Sequence, residues 1–135
     1  MGNRAVIAFV DDKGKQDKNS VGIYLHWNGG RDSVEGFLAY AKKQGVRGYD
    51  SSYCVARLAQ IIGNTFGGTL SVGVGIVKNL DCDNYDNGVY WVDKDFKIVD
   101  REYKQRAEQQ NYKLDDFVAH VAKANDAYFA ADKLR

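Results

Sequence analysis

Residues 24–32 read Tyr-Leu-His-Trp-Asn-Gly-Gly-Arg-Asp and gather more binding chemistry than any other stretch of the chain. Gly29 and Gly30 allow a tight turn with outward backbone N–H groups. A helix predicted to begin just beyond them adds the positive end of its dipole, and such a corner suits an anion. Arg31 contributes a planar fork that fits phosphate. Trp27 offers a stacking face, and Asn28 a carboxamide. Asp32 works against an anion, since it is expected to cap the helix, with Glu35 completing a capping box. A plain chain-reversing turn explains Asn28-Gly29-Gly30-Arg31 as well.

Two other constellations carry possible chemistry. Cys54 sits near the start of a predicted helix, where a thiolate is stabilised. With His26 as base and Asp81 or Asp83 as the acid it would make a small hydrolase. Both residues also have ordinary structural readings, a core cysteine in an amphipathic helix and a structural histidine in a strand. The loop Asp81-Cys82-Asp83-Asn84-Tyr85-Asp86-Asn87-Gly88 carries the oxygen ligands calcium prefers, with Asp81, Asp83 and Asp86 as metal candidates. It departs from the EF-hand pattern at Tyr85 and Lys94, and turn formation accounts for the same residues. Nine Tyr and two Trp add surfaces for stacking or for a protein interface, with Trp27, Tyr49, Tyr53, Tyr85, Tyr90 and Trp91 in or near loops and strand ends.

The elements that must position these groups follow from periodicity. Arg4 to Val10 predicts a strand, followed by a polar hairpin loop, Asp11 to Asn19. Val21, Ile23, Leu25 and Trp27 alternate with Gly22, Tyr24, His26 and Asn28, which predicts a second strand. Val34, Phe37, Leu38 and Ala41 predict a helix from about Ser33 to Gln44, stopped by Gly45. Val55, Leu58, Ala59 and Ile62 predict another from about Ser52 to Phe66, ended by Gly67-Gly68. Thr69 to Val77 alternates again, with Gly73 and Gly75 on one face. Val89–Asp93 and Phe96–Tyr103 read as a hairpin about Lys94. Gln105 to Asn111 is polar. From Leu114 onward, Leu114, Phe117, Val118, Val121, Asn125, Tyr128 and Phe129 trace one helical stripe. The expected fold is α+β, in the order β-β-α-α-β-β-β-α. Its antiparallel sheet would have about five strands, with helices on one face. Residues 1–135 form one domain, and the C-terminal helix, 112–135, is a candidate oligomerisation element.

Composition narrows the classes. Nineteen basic and eighteen acidic residues leave a net charge of +1, which gives no general attraction to nucleic-acid polymers or anionic membranes. The basic residues do not cluster as a nucleic-acid channel requires. No apolar run approaches membrane-spanning length, and no signal peptide is evident. Two cysteines are too few for a disulfide framework and too isolated for zinc. The expected setting is cytoplasmic, with reduced thiols.

Asn3-Arg4-Ala5-Val6-Ile7, Ile23-Tyr24-Leu25-His26-Trp27-Asn28-Gly29-Gly30, Leu70-Ser71-Val72-Gly73-Val74-Gly75 and Asp86-Asn87-Gly88-Val89-Tyr90-Trp91 resemble a group of small proteins encoded by phages and prophages. The likeness covers roughly residues 3 to 103 and transfers no activity and no catalytic residue. It implies a context, the cytoplasm of an infected host, in which small phage proteins interfere with defence. Some sequester a nucleotide immune signal; others plug a defence protein. The leading expectation is therefore a non-enzymatic protein that captures a small phosphate-bearing ligand without a cofactor and works as a homo-oligomer. Trp27, Asn28, Gly29, Gly30, Arg31, Asn87 and Trp91 would form the site. A protein inhibitor with an aromatic binding surface, and the Cys54/His26 hydrolase, are the alternatives.

Overall fold

A computed structural model of the chain describes residues 2–66, 70–105 and 111–132, with side chains described through residue 130. Five strands form one mixed sheet: β1 (Ala5–Phe9), β2 (Val21–Leu25), β3 (Val72–Ile76), β4 (Val89–Val92) and β5 (Ile98–Glu102). Three helices accompany them: α1 (Arg31–Lys43), α2 (Ser51–Thr65) and α3 (Leu114–Asp132). A 3-10 turn, Val77–Asn79, follows β3 and departs from the expected element order.

Across the sheet the strands run β3-β2-β1-β4-β5. β1 is buried along its whole length, which is the pattern of a strand covered on both faces. Ala5, Ile7 and Phe9 join the helices in one core with Ile23, Leu25, Tyr90 and Val92. Val6 and Ala8 point the other way, into a smaller cluster with Val77, Val89 and Trp91. The buried stripes of α1, α2 and α3 all belong to the first core, so the helices lie on one face.

The expectation of a purely antiparallel sheet is corrected. β1 pairs antiparallel with β2, β2 with β3 and β4 with β5, but β1 pairs parallel with β4. After β3 the chain crosses the helix-free face through the 3-10 turn and the Asx-rich loop. It then re-enters beside β1 in the same direction. Leu80 and Cys82 of that crossing pack on the smaller cluster. A connection of this length makes parallel pairing possible, as a two-residue hairpin cannot.

Local starts and stops also differ in detail. α1 begins at Arg31 with Gly30 as N-cap and no side-chain cap. Asp32 does not cap it: one carboxylate oxygen accepts from the Ser33 N–H and the other from the Tyr112 N–H, 2.8 Å. Glu35 pairs with Arg31 instead of closing a capping box. Asp50 caps α2 by accepting from the Tyr53 N–H. Gly67, Gly68 and Thr69, expected to end that helix and open the next strand, lie outside the described residues.

α3 packs against α1 and α2 of its own chain. Phe117, Val121 and Asn125 are buried there. These members of its stripe are used within the chain, while Leu114 and Tyr128 of the same stripe stay 45% and 59% exposed. Gly36 makes the approach of α1 and α3 possible, because a Cβ at that position would overlap the Phe117 ring.

Candidate functional site

A concavity with an exposed aromatic wall lies where β2 ends, α2 ends and β3 begins. Trp27, Asn28, Ile62, Phe66, Ser71 and Val72 line a pocket of about 190 Å³. β2 delivers Trp27 just beyond its last residue. Asn28 then adopts a left-handed backbone, φ 60°, which turns the chain out of the strand and leaves Trp27 49% exposed. The His26 N–H donates to the Ser71 carbonyl at 3.0 Å and ties the two strand ends together below the pocket.

The third wall comes from the last turns of α2. Ile62 is buried and faces the core, while Phe66, just past the helix, is 37% exposed. This end of α2 is anchored by a buried amide. Asn125 of α3 is fully buried, and its Nδ2 lies 2.9 Å from the Val121 carbonyl, 3.2 Å from the Ile61 carbonyl and 3.3 Å from Thr65 Oγ1. Its Oδ1 accepts from Asn64 Nδ2 at 3.0 Å. A buried polar group satisfied from several sides is a rigid joint, and here it sets the segment that carries the pocket wall.

Two shallower grooves share lining residues with this pocket. One, of about 430 Å³, is lined by Tyr24, His26, Leu70, Ser71, Val72 and Gly73. The other, of about 260 Å³, runs past Phe66 to Tyr112, Asp116, Phe117 and His120. His26 stands in the first groove with Tyr24, whose side chain packs on the helix-free cluster, and His120 stands in the second, on the helical side. Tyr24 hydroxyl and His26 Nδ1 are 2.9 Å apart, and His26 meets the Trp27 ring edge-on. Burial, reinforced by the nearby Asp81, pushes the Tyr24 hydroxyl above its ordinary pKa, so Tyr24 stays a neutral donor and acceptor. Among the described residues neither Lys nor Arg lines the Trp27 pocket.

The structure distributes the seven expected binding residues over different places. Trp27 and Asn28 meet in the pocket. Gly29 and Gly30 are buried and committed to the fold. The Gly29 N–H donates to the Asn3 carbonyl at 2.7 Å, its carbonyl accepts from the Tyr90 hydroxyl at 2.6 Å, and the Gly30 carbonyl accepts from the Val34 N–H. Arg31 turns to another groove, lined also by Glu35, Lys42, Asp95 and Lys97, and its Nε donates to Glu35 at 2.9 Å. Asn87 is buried, donating to Asn3 Oδ1 and to the Arg4 carbonyl. Trp91 is fully buried on the helix-free face and donates to Glu102 Oε1 at 2.6 Å. Asn87, Trp91 and Arg31 therefore stay out of the Trp27 pocket.

The hydrolase residues are separated too. Cys54 is fully buried in the helix-side core, and burial raises its thiol pKa from 9.0 to about 12. It stands two turns from Ile62 along α2, about 12 Å at the helical rise, whereas His26 lies at the strand end beside Tyr24. The aspartates of the 81–88 loop have structural partners. Asp86 accepts from Arg4 N and, at 2.8 Å, from Arg4 Nε. Asp83 accepts from Gln105, and Asp81 lies 4.0 Å from Arg4. Asn84 clasps the loop by accepting from the Asp86 and Gly88 N–H groups. Among the described residues no group of three or more His, Cys, Asp or Glu is placed to hold a metal ion, and no helix is long and apolar enough to cross a membrane.

Sequence reasoning missed Ile62, Phe66, Ser71 and Val72 as pocket residues, along with Tyr112 and His120. Phe66 carried one usable signal, a large apolar residue at the fraying end of a helix. Comparison with known proteins finds no matching family model, no matching curated protein and no matching solved structure.

Proposed function

We propose that this chain is a non-enzymatic binding protein that captures a small ring-bearing ligand, a phosphate-bearing nucleotide signal of host defence, in the Trp27 pocket. The observation that carries this reading is the half-exposed Trp27 ring standing over an apolar floor of Ile62, Phe66 and Val72 with Asn28 and Ser71 at the margin. A flat ring stacks on such a face, and the polar margin orients it. The pocket alone suits one ring, and the adjoining groove of Tyr24, His26 and Leu70 has room for the rest of a nucleotide. The phosphate falls to that groove and not to Arg31, which faces elsewhere. Capture without conversion fits a concavity in which Cys54 takes no part. Sequestration as the purpose rests on the resemblance to small phage proteins proposed from the sequence.

A second reading, a protein inhibitor of a host defence enzyme, is favoured by one observation. Trp27 and Leu70 beside the pocket, and Val74 and Ile76 farther along β3, are exposed apolar side chains, and apolar surface of this kind marks protein interfaces. A thermal-shift screen against cyclic oligonucleotides, NAD-derived signals and ordinary nucleotides separates the two. A nucleotide that stabilises the chain, loses its effect in Trp27→Ala and is recovered intact supports capture. No stabilisation by any of them moves the assignment to the inhibitor. Conversion of the nucleotide overturns both.

A further inference from the structure

We infer that two copies of this chain pair along β3 to form one continuous sheet, with a two-fold axis at Val74. β3 ends the sheet, with β2 as its partner on one side. The two outer strands differ in protection. β5 carries Asp100, Arg101 and Glu102, and its pairing with β4 is irregular. Charges and irregularities are the usual guards of a sheet edge. β3 reads Val-Gly-Val-Gly-Ile, with neither a charge nor a proline.

The strand is also nearly its own reverse. Antiparallel pairing centred on Val74 sets Val72 against Ile76, Gly73 against Gly75 and Val74 against itself. A closed two-fold interface requires such self-complementarity. It also forbids charge at its centre, where a residue meets its own copy, and β3 meets that electrostatic condition. Register with β2 places Val74 opposite Ile23 and Ile76 opposite Val21, so both point toward the helical layer. Yet they are 55% and 40% exposed. A second copy across the axis keeps both helical layers on the same face and covers these side chains. Ser71 and Val72 of the Trp27 pocket lie at the start of the same edge, so the pairing brings the far end of the partner's β3 beside each pocket. The pairing does not depend on the ligand assignment, and it is tested with no ligand present.

Sedimentation equilibrium of the full chain across a wide concentration range is the test. The expected result is a reversible species of twice the 15.1 kDa chain mass, which Val74→Arg reduces to monomer while its circular dichroism is retained. A monomer at every concentration, or a dimer that survives Val74→Arg, overturns the inference. A cysteine scan gives a second reading that does not need the dimer to be broken. Residues directly opposed in an antiparallel pair have Cα atoms close enough for a disulfide. In a Cys82→Ser background, Val74→Cys is expected to cross-link on mild oxidation, whereas Val99→Cys on β5 stays uncross-linked. Failure of Val74→Cys to cross-link, or equal cross-linking from Val99→Cys, contradicts the register.

Discussion

Replacing Asn125 by alanine tests how the pocket wall is held. The side chain links α3 to the last turn of α2 through the Ile61 carbonyl, Thr65 Oγ1 and Asn64 Nδ2, and bonds back to Val121. Two amide hydrogens are shared among three acceptors, so about three net hydrogen bonds are lost. At about 1 kcal/mol each, with a further small penalty for the space left behind, the cost comes to about 3–4 kcal/mol. Against a stability of about 5–15 kcal/mol typical of such domains this is a large fraction. Urea unfolding followed by far-ultraviolet circular dichroism reads it as a fall in midpoint of about 1–4 M for a slope of about 1–3 kcal/mol/M. Asn125→Leu fills the same volume without a polar atom and lets Asn64, half-buried, turn to water. It is expected to lose clearly less than alanine, since removing a polar partner and leaving a hole costs more than substituting a shape-matched apolar group. A fall below about 0.5 kcal/mol for Asn125→Ala, the size of an ordinary surface substitution, refutes the reasoning that this amide is a structural joint.

Further outcomes follow from the same structure. Gly36→Ala drives a methyl group into the Phe117 ring and is expected to destabilise by about 1–3 kcal/mol, read by thermal unfolding; Gly63→Ala in α2, where a Cβ meets nothing within 4 Å, is expected to stabilise by about 0.5–1 kcal/mol. Cys54, with its thiol raised from 9.0 to about 12 by burial, exposes about a thousandth of the thiolate of a free cysteine near pH 8. Ellman's reagent should therefore titrate Cys82 in the folded chain and Cys54 only in denaturant. Because the folded pKa lies above the unfolded one, the stability contributed by Cys54 is complete below about pH 9 and is lost as pH rises toward 12. Tyr40, raised by burial and by its hydrogen bond to Asp126, acts in the same direction, so the melting temperature should decline on the alkaline side. Asp86→Ala removes the carboxylate that accepts from Arg4 Nε and N. It should lower stability by about 2–3 kcal/mol, measured in urea.

Much of the fold is legible in the sequence because it rests on local periodicity. Val34, Phe37, Leu38 and Ala41 mark the buried face of α1, and Val55, Leu58 and Ile62 that of α2, as their spacing indicates. What periodicity cannot show is which strands meet. The parallel pairing of β1 with β4 joins residues more than eighty positions apart and depends on a crossing loop with no hydrophobic rhythm. Asp32 misleads because its carboxylate has the right type and place for a cap, but a distant backbone N–H, that of Tyr112, claims it. The candidate site was half legible. Trp27 and Asn28 lie in the pocket, but Arg31 is four residues beyond Trp27, and the first turn of α1 carries it to another groove. Trp91 alternates correctly as a strand residue, yet nothing local says that the 81–88 loop folds back to bury it. Asn125 reads as a polar break in an apolar stripe, and only its three-dimensional partners make it a joint.

The most direct test of the binding assignment is a thermal-shift titration of the purified chain and of Trp27→Ala against nucleotide signals, with the nucleotide analysed afterwards. A ligand at a hundredfold excess over its Kd adds about 2.7 kcal/mol to stability, which is several degrees in melting temperature. The account predicts such a shift for at least one nucleotide, its loss in Trp27→Ala with the variant still folded, and recovery of the nucleotide unchanged. A shift that persists in Trp27→Ala, or no shift with any nucleotide, contradicts the placement of a ligand in this pocket.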